Sequence, residues 1–598
     1  MEAGTPVCQS IRGLKFEVKH AALIIFALVL LIRLPFLNQA VSGDDVYYLA
    51  AAEHAQIDPL HPNHVHYIFE GRDVDFRGYP HPPLNAWTLA ALIAIFGAVR
   101  EIPFHAAYIA FSLIAAFAMW SLAKRFSPQP LWATLLFVAT PAFVINGNSF
   151  ESDVPFLAFW LAGIATFVSG RLFASAILLT AASLAAPQVV LAVPILAVYT
   201  WLNHRGSKLA WFVVAIPILA TAGWQGFEFL SDGRFPAAVS AGYQQAYGYQ
   251  KFAMKLRNAG ALSVHALFLV FPPLLLLLPQ PKSRDRIFLY AWAAIFFAGA
   301  VALFFAGSAR YLLPMAAPVA LLVTQTTKSA WLKIGFACSL TLSLLMATAN
   351  YQHWNQIRTF AQSIPQNKRT WVNAEWGLRH YLEQSGAQPV QEGHQIPPGD
   401  QVITSELGFP IPYAHAGSTK VLISKQDITP SIPLRLIGLD THSAYSTAAK
   451  GFLPFGISTG PVDRILIETL VPKLPTHEYV NLALPDADDQ IASGIYAAEG
   501  NPWRWMSKAG TLLLKTPQSP TPVKVHLYIP DSSPTRIVTL TLDGLTLLTQ
   551  TLPAPGTYTL QSTPITGSTL TITADRSFTV PTDHRELSLI LTGAGFQH

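Results

Sequence analysis

Charge is what this 598-residue chain has little of: Asp, Glu, Lys and Arg together make up 12% of it, where soluble proteins carry roughly a quarter. So few charges cannot cover the surface of a soluble protein of this length. Cysteine is nearly absent as well. Cys8 precedes the first apolar block and Cys338 lies inside the last, which excludes a disulfide framework and a cysteine-based metal site. The chain has neither a phosphate-binding P-loop nor a dinucleotide fingerprint, so nucleotide hydrolysis is not supported. No self-similarity of roughly 20 to 50 residues marks a repeat protein.

What fills the chain is apolar residues, 51% of the total. They concentrate in twelve blocks: 21–37, 83–98, 104–123, 130–146, 154–169, 172–186, 188–202, 209–223, 261–279, 287–305, 311–326 and 331–350. Runs of this length and spacing read as a polytopic membrane protein whose helices cross the bilayer. The first block follows Arg12, Lys15 and Lys19 but contains Arg33 and Pro35 and lacks a small-residue cleavage site, so it reads as an uncleaved first span.

Charge fixes the expected sidedness. Residues 1–350 hold 22 Lys+Arg and 15 Asp+Glu, whereas residues 351–598 hold 17 and 19, so the basic excess belongs to the membrane half. There it reports topology, and nucleic acid is set aside as a partner. If the block 83–98 does not cross, the loops with Lys124/Arg125, Arg171, Arg205/Lys208, Lys282/Arg284/Arg286 and Lys328/Lys333 all fall on the side of the basic N-terminus. The positive-inside rule therefore predicts about eleven transmembrane helices, a cytoplasmic N-terminus, and an 83–98 helix that is re-entrant or lies on the surface. The loop 38–103, the turn 147–153, the loop 224–260, the turn 306–310 and everything after about 351 are then extracytoplasmic.

The tail reads differently. From 351 to 519 a mixed α/β region is expected, with an amphipathic helix over Thr370–Gln384 and strands over Gln401–Ser405, Lys420–Ser424 and Arg464–Thr469. From 520 to 598 short alternating runs split by Asp, Gly and Pro predict a small β-sandwich.

Polar residues gather on the predicted outer face. Asp44 and Asp45, just past the first span and followed by Tyr47 and Tyr48, supply a general base with an orienting partner or, equally, cap the helix that follows. His81, before Pro82 and Pro83, faces the same aqueous side or merely marks a rigid turn. Asp153, in the run Glu151-Ser152-Asp153, either complements a helix dipole or faces Asp44 across a cavity. Arg310 and Arg33, at outer ends of spans, are either snorkelling anchors or phosphate ligands. His61, His64 and His66 form a triplet that, with Asp44 and Asp153, gives the only candidates for a divalent metal ion; solvated loop histidines are the plain alternative.

Taken in order, Asp44-Asp45-x-Tyr-Tyr, His81-Pro82-Pro83-Leu84, Asp153 and Arg310-Tyr311-Leu312-Leu313-Pro314 resemble the GT-C glycosyltransferases of family 39, which include protein O-mannosyltransferases and lipid A aminoarabinose transferases. The resemblance covers roughly residues 20 to 350. It implies an inverting transferase that moves a sugar from a polyprenyl-phosphate donor to a glycan, lipid or protein acceptor on the outer face of a bacterial inner membrane. Asp44 would be the general base, Asp45 and Asp153 its acidic partners, and Arg310, His81 and Arg33 would bind the donor phosphate. The second acid is Asp where the family has Glu. A transporter or flippase of a lipid-linked sugar is the rival reading; it predicts charges near span centres, whereas these polar residues cluster at one surface.

Overall fold

A computed structural model describes residues 6–597 apart from 80, 250, 366–368, 393, 416, 444, 448–449 and 581–582. Pro80 of the His81 motif and the side chains before His20, Cys8 among them, lie outside the described residues. The chain divides into two compact units. The first comprises residues up to Val65, Asp75–Arg358 and Thr429–Val462; the second comprises His66–Val74, Thr359–Ile428 and Asp463–His598.

The first unit is helical. Its helices are α1 (Pro6–Arg33), α2 (Asp45–His54), α3 (Leu84–Phe96), α4 (Glu101–Phe126), α5 (Pro130–Val138), α6 (Pro141–Asn146), α7 (Asp153–Val168), α8 (Leu172–Ala185), α9 (Ala192–Asn203), α10 (Lys208–Asp232), α11 (Pro236–Ala246), α12 (Phe252–Leu267), α13 (Arg284–Leu303), α14 (Leu313–Val323) and α15 (Ser329–Ser363). Among the described residues four of them, α4, α10, α13 and α15, are long and apolar enough to cross a membrane, and the chain is an integral membrane protein of the helical class. Local chemistry sets the ends: Pro130, Pro141 and Pro236 open their helices, where a missing N–H costs nothing. The side chains of Ser207 and Ser283 accept from Ala210 N and Arg286 N.

The apolar blocks and the helices differ in instructive places. Block 83–98 becomes the 13-residue α3, about 20 Å long at 1.5 Å per residue, too short for a hydrocarbon core of about 30 Å. Block 130–146 breaks at Thr140-Pro141 into α5 and α6. The carbonyl exposed there, Ala139 O, accepts from Ser343 Oγ at 2.7 Å, and Thr140 Oγ1 donates to Leu269 O at 2.9 Å, as a backbone break inside an apolar bundle requires. Block 261–279 is not one helix: α12 starts nine residues earlier and ends at Leu267, ahead of the 3₁₀ turn Pro272–Leu277. In contrast, α10 runs past its block to Asp232.

The bundle core is filled by Phe137, Phe143, Trp160, Trp292 and Phe296, none with any exposure. Gly163 lets α7 approach α8, since a Cβ there would stand 2.9 Å from Leu179 Cδ2; small residues serve this purpose in membrane bundles. Three of the expected basic loops meet at one end. Arg125 Nη1 donates to Asp285 Oδ2 at 2.8 Å, Gln129 Nε2 to Thr327 O at 2.9 Å and Gln325 Nε2 to Phe126 O at 2.9 Å.

In the second unit, a sheet of five strands runs in the order Gln388–Pro389, Thr370–Asn373, Gln401–Ser405, Asp463–Pro472, Ser418–Ile428. The expected helix over Thr370–Gln384 splits: Thr370–Asn373 pairs in parallel with Gln401–Thr404, and only Trp376–Gln384 is helical. β-Branched and aromatic residues at 370–372 favour the strand. The other sheet has nine strands, and its members before and after residue 520 share one hydrogen-bonded network. Strand Arg504–Leu513 pairs through Arg504–Met506 with Leu589–Leu591 and through Ala509–Leu513 with Thr569–Thr573. A strand that changes partners in this way joins two packed halves into one sheet. Val523, Val525, Leu527 and Ile529 alternate into its core, all fully buried.

Arg33 is a structural residue of the first unit. Its guanidinium, buried at the end of α1, donates to Ser112 Oγ at 3.0 Å, Val144 O at 2.8 Å and Phe143 O at 2.7 Å. These carbonyls lie in the last turns of α6, where a cation is favoured by the helix dipole. Those bonds engage each of its three nitrogens. Gly147 makes room for it: a Cβ there would stand 1.8 Å from Arg33 Nη2. Gly147→Ala is expected to destabilise the protein by about 1–3 kcal/mol, the usual cost of overpacking, read as a lowered Tm in a fixed detergent, while Gly206→Ala, with nothing within 4 Å of its Cβ, is expected to leave the Tm unchanged.

Candidate active site

Four residues from three distant stretches of the chain meet around one guanidinium. Arg310 stands in the 3₁₀ turn that leads into α14, its side chain 7% exposed. Its Nη2 donates to Asp44 Oδ2 at 2.7 Å, its Nη1 contacts Glu151 Oε2, and its Nε lies 3.6 Å from Asp153 Oδ2. Asp44 immediately precedes α2, and Asp153 is the first residue of α7. Asp44 is the accessible member: its side chain keeps 31% of its exposure, against 7% for Glu151 and 8% for Asp153. Arg310 Nε and Asp153 Oδ2 are both buried without a hydrogen-bond partner. The ring thus holds three carboxylates on one cation. A donor phosphate at Arg310 would have to share nitrogens that these carboxyl groups already engage.

Asp45 points the other way. It is fully buried and accepts from Ser42 N at 2.9 Å, Ser42 Oγ at 3.1 Å and Phe150 N at 2.6 Å. Adjacent residues on a helix diverge by about 100°, so one carboxylate of the pair opens to the site while its neighbour ties the 42–45 turn to the loop before α7. Asn85 strengthens the tie, donating to Phe150 O at 2.8 Å and accepting from Tyr108 at 2.7 Å. Asp44 makes no side-chain cap of α2.

His81 joins from the third loop. Its Nδ1 lies 2.9 Å from Ser152 Oγ, which in turn lies 3.1 Å from Tyr48 Oη. The ring packs against Tyr48 and Tyr79 with centroids 5.0 and 5.2 Å away. Burial, helped by the positive Arg310, pushes its pKa down to about 3; the imidazole is neutral at physiological pH and able to give one N–H and accept one. His81, Tyr79 and Tyr311 line a cavity of about 340 Å³.

In the histidine triplet the rings of His61 and His64 stack with centroids 4.6 Å apart, but each binds its own partners. His61 Nδ1 lies 3.0 Å from Asp58 and its Nε2 3.0 Å from Ser231 Oγ; His64 Nε2 lies 2.7 Å from Glu228. His66 belongs to the second unit and pairs with Asp73 at 3.0 Å. Among the described residues no group of three His, Cys, Asp or Glu side chains is placed to hold a metal ion, which removes both the triplet and Asp44 with Asp153 as a ready-made cage.

Scanned against protein-family models and against curated proteins, the sequence matches none. Among solved structures the fold is similar to ArnT from Cupriavidus metallidurans bound to undecaprenyl phosphate, at 13% identity over 66% of this chain and 93% of that one, TM-score 0.41. The apo form of that protein gives 12% identity, 65% and 94% coverage and a TM-score of 0.42. Arabinofuranosyltransferase AftD from Mycobacteria gives 11% identity over 97% of this chain and 58% of that one, TM-score 0.39. This chain therefore spans a little over half of AftD. At these scores the function is argued from the site itself.

Two members of the site were not singled out as site residues from sequence: Glu151 and Ser152. Their signal was position, since both flank Asp153 in one short turn. Asp45 offers a direct test of the loop tie. Burial pushes its carboxyl up to about 7 from an ordinary 3.8, so the folded chain keeps this proton where the unfolded chain has lost it. The neutral form's contribution to stability is full below about pH 4 and declines as the pH rises toward 7. Melting curves of wild type and Asp45→Asn in one detergent are expected to converge or cross along that interval; a gap that stays constant with pH contradicts the assignment.

Proposed function

We propose that the chain is a GT-C type glycosyltransferase that moves a sugar from a polyprenyl-phosphate donor to an acceptor on the extracytoplasmic face of a membrane, with inversion at the anomeric carbon. The observation that carries the reading is the Asp44–Arg310 pair: one solvent-accessible carboxylate held in place by a buried guanidinium, beside a neutral histidine on the wall of a sugar-sized cavity. The order of the motifs along the chain supports it independently.

Each residue has a task in that reaction. Arg310 holds Oδ2 of Asp44, so Oδ1 is the oxygen offered to the acceptor. It takes the proton from the acceptor hydroxyl or amine as the nucleophile forms its bond to the anomeric carbon. The bond from that carbon to the phosphate oxygen breaks, and polyprenyl phosphate leaves with the electron pair. Arg310, Glu151 and Asp153 position the base and do not touch the reacting atoms. In this mechanism Tyr48 donates to Ser152 and Ser152 to His81 Nδ1, so the proton of the neutral ring is on Nε2. That N–H meets the charge developing on the leaving phosphate, the kind of donor that stabilises a transition state.

Asp44→Asn keeps the shape and the Arg310 contact on its oxygen while removing the base. Turnover of labelled polyprenyl-phosphate sugars by equal amounts of folded protein is expected to fall by about 10²- to 10⁴-fold, the usual worth of a general base. Equal turnover in both proteins removes Asp44 from this role. No turnover by wild type with any donor, even when membrane extract supplies acceptors, favours transport of the lipid-linked sugar instead.

A further inference from the structure

The cavity that borders His81 has walls that the reaction described above does not use. Gln188, Thr221, Trp224 and Glu228 line it. Three of them bring a buried oxygen with no hydrogen-bond partner: Gln188 Oε1, Thr221 Oγ1 and Glu228 Oε1. Gln188 is 8% exposed and Glu228 only 2%. Such atoms pay desolvation without return, and native structures hold few of them, so three on one cavity need an explanation.

Their placement is built into the fold. Thr221, Trp224 and Glu228 follow each other at i, i+3 and i+7 along α10 and so share one helix face. Gln188 comes from the 3₁₀ turn Pro187–Leu191, which packs beside α10. The other oxygen of Glu228, Oε2, lies 2.7 Å from His64 Nε2, which fixes the carboxylate and leaves Oε1 over. An acid in an otherwise apolar helix is costly and is kept for a site.

We propose that this cavity is the subsite for the neutral sugar ring of the lipid-linked donor. The inference rests on the transferase reading and names where the donor's sugar sits. Sugar hydroxyls donate to the three orphan oxygens, and Trp224 gives the ring an aromatic wall. The phosphate stands at the His81 end of the cavity and away from this wall, where the Glu228 carboxylate repels it and Arg77, the cation on the wall, is engaged by Asp75 at 2.7 Å and by Asp232. The apolar part of the lining, Val190, Leu303, Phe304 and Phe305, meets the C–H faces of the ring, whereas a polyprenyl tail would leave the three oxygens without donors. The volume of about 340 Å³ lies at the small end of ligand pockets, roughly 300–1,000 Å³, and suits a single ring with its substituents.

The test is equilibrium binding to the full-length protein in detergent, with farnesyl phosphate and with farnesyl phosphate linked to a panel of hexoses and pentoses. Wild type is expected to bind at least one sugar-bearing lipid more tightly than farnesyl phosphate. Thr221→Val and Gln188→Met, near-isosteric and apolar, are each expected to weaken that binding about tenfold, the worth of one well-made hydrogen bond, and to leave farnesyl phosphate binding unchanged. Equal weakening of both lipids, or no weakening in variants that melt like wild type, overturns the assignment, as does a wild type indifferent to the sugar. Asp44→Asn separates this from the transferase reading: it should keep the sugar-dependent affinity while losing turnover. Sugar-dependent affinity that needs Thr221 and Gln188 in a wild type without any turnover would sink the transferase reading and leave the subsite standing.

Discussion

A guanidinium buried among three carboxylates is the contact on which the geometry of the helical unit depends. Burying Arg310, Glu151 and Asp153 costs several kcal/mol for each group that stays ionic, and that cost is offset only while the cluster stays together. Asp44 and Arg310 are 266 residues apart in sequence, so the pair closes the loop after α1 onto the turn before α14. Glu151 and Asp153 bring the loop before α7 to the same place. Secondary ties make the arrangement over-determined: Asp45 and Asn85 both bind the backbone of Phe150. A site whose parts are held by groups other than those that react is preorganised, and little reorganisation is needed when charge develops.

Much of this was legible in the sequence, for a topological reason. Scarcity of charge gave the membrane class, and the distribution of basic loops placed Asp44, His81, Asp153 and Arg310 on one side. In a bundle, loops at the same end of neighbouring helices converge, and the structure brings these residues together. The same reasoning could not separate Arg310 from Arg33. Both are arginines near the same end of an apolar segment, and what distinguishes them is only the chemistry they meet: helix-end carbonyls and Ser112 for Arg33, carboxylates for Arg310. Nor could proximity in sequence stand in for shared ligation. His61, His64 and His66 each find a separate acid.

The cavity residues that escaped sequence reasoning sit within or beside apolar segments, unlike Glu151 and Ser152 in their short turn. Glu228 fell beyond an apolar block that ended at 223, so it counted as loop, whereas α10 continues through Phe227, Phe229 and Leu230 to Asp232. Gln188 opens an apolar block and Thr221 lies within one, where hydroxyls and amides pass as ordinary helix residues. Only the packing of α10 beside the Pro187–Leu191 turn brings their oxygens to one cavity. The tail illustrates the same limit on a smaller scale: the strands over Gln401–Ser405 and Arg464–Thr469 were readable from their pattern, but the partner change of Arg504–Leu513 depends on pairing with strands some sixty to ninety residues on.

The distribution of charge around Arg310 bears on how an anionic donor is accommodated in the proposed reaction. An inverting displacement needs the base and the leaving group on opposite faces of the anomeric carbon. In this site a carboxyl group meets each nitrogen of Arg310, whereas the groups near His81 are neutral: Tyr48, Tyr79, Ser152 and the unprotonated imidazole. In the proposed reaction the donor's leaving group is taken up in the second environment, toward His81, and its anomeric carbon faces Asp44. The ring of carboxyls disfavours the reversed orientation, in which the base would face its own leaving group.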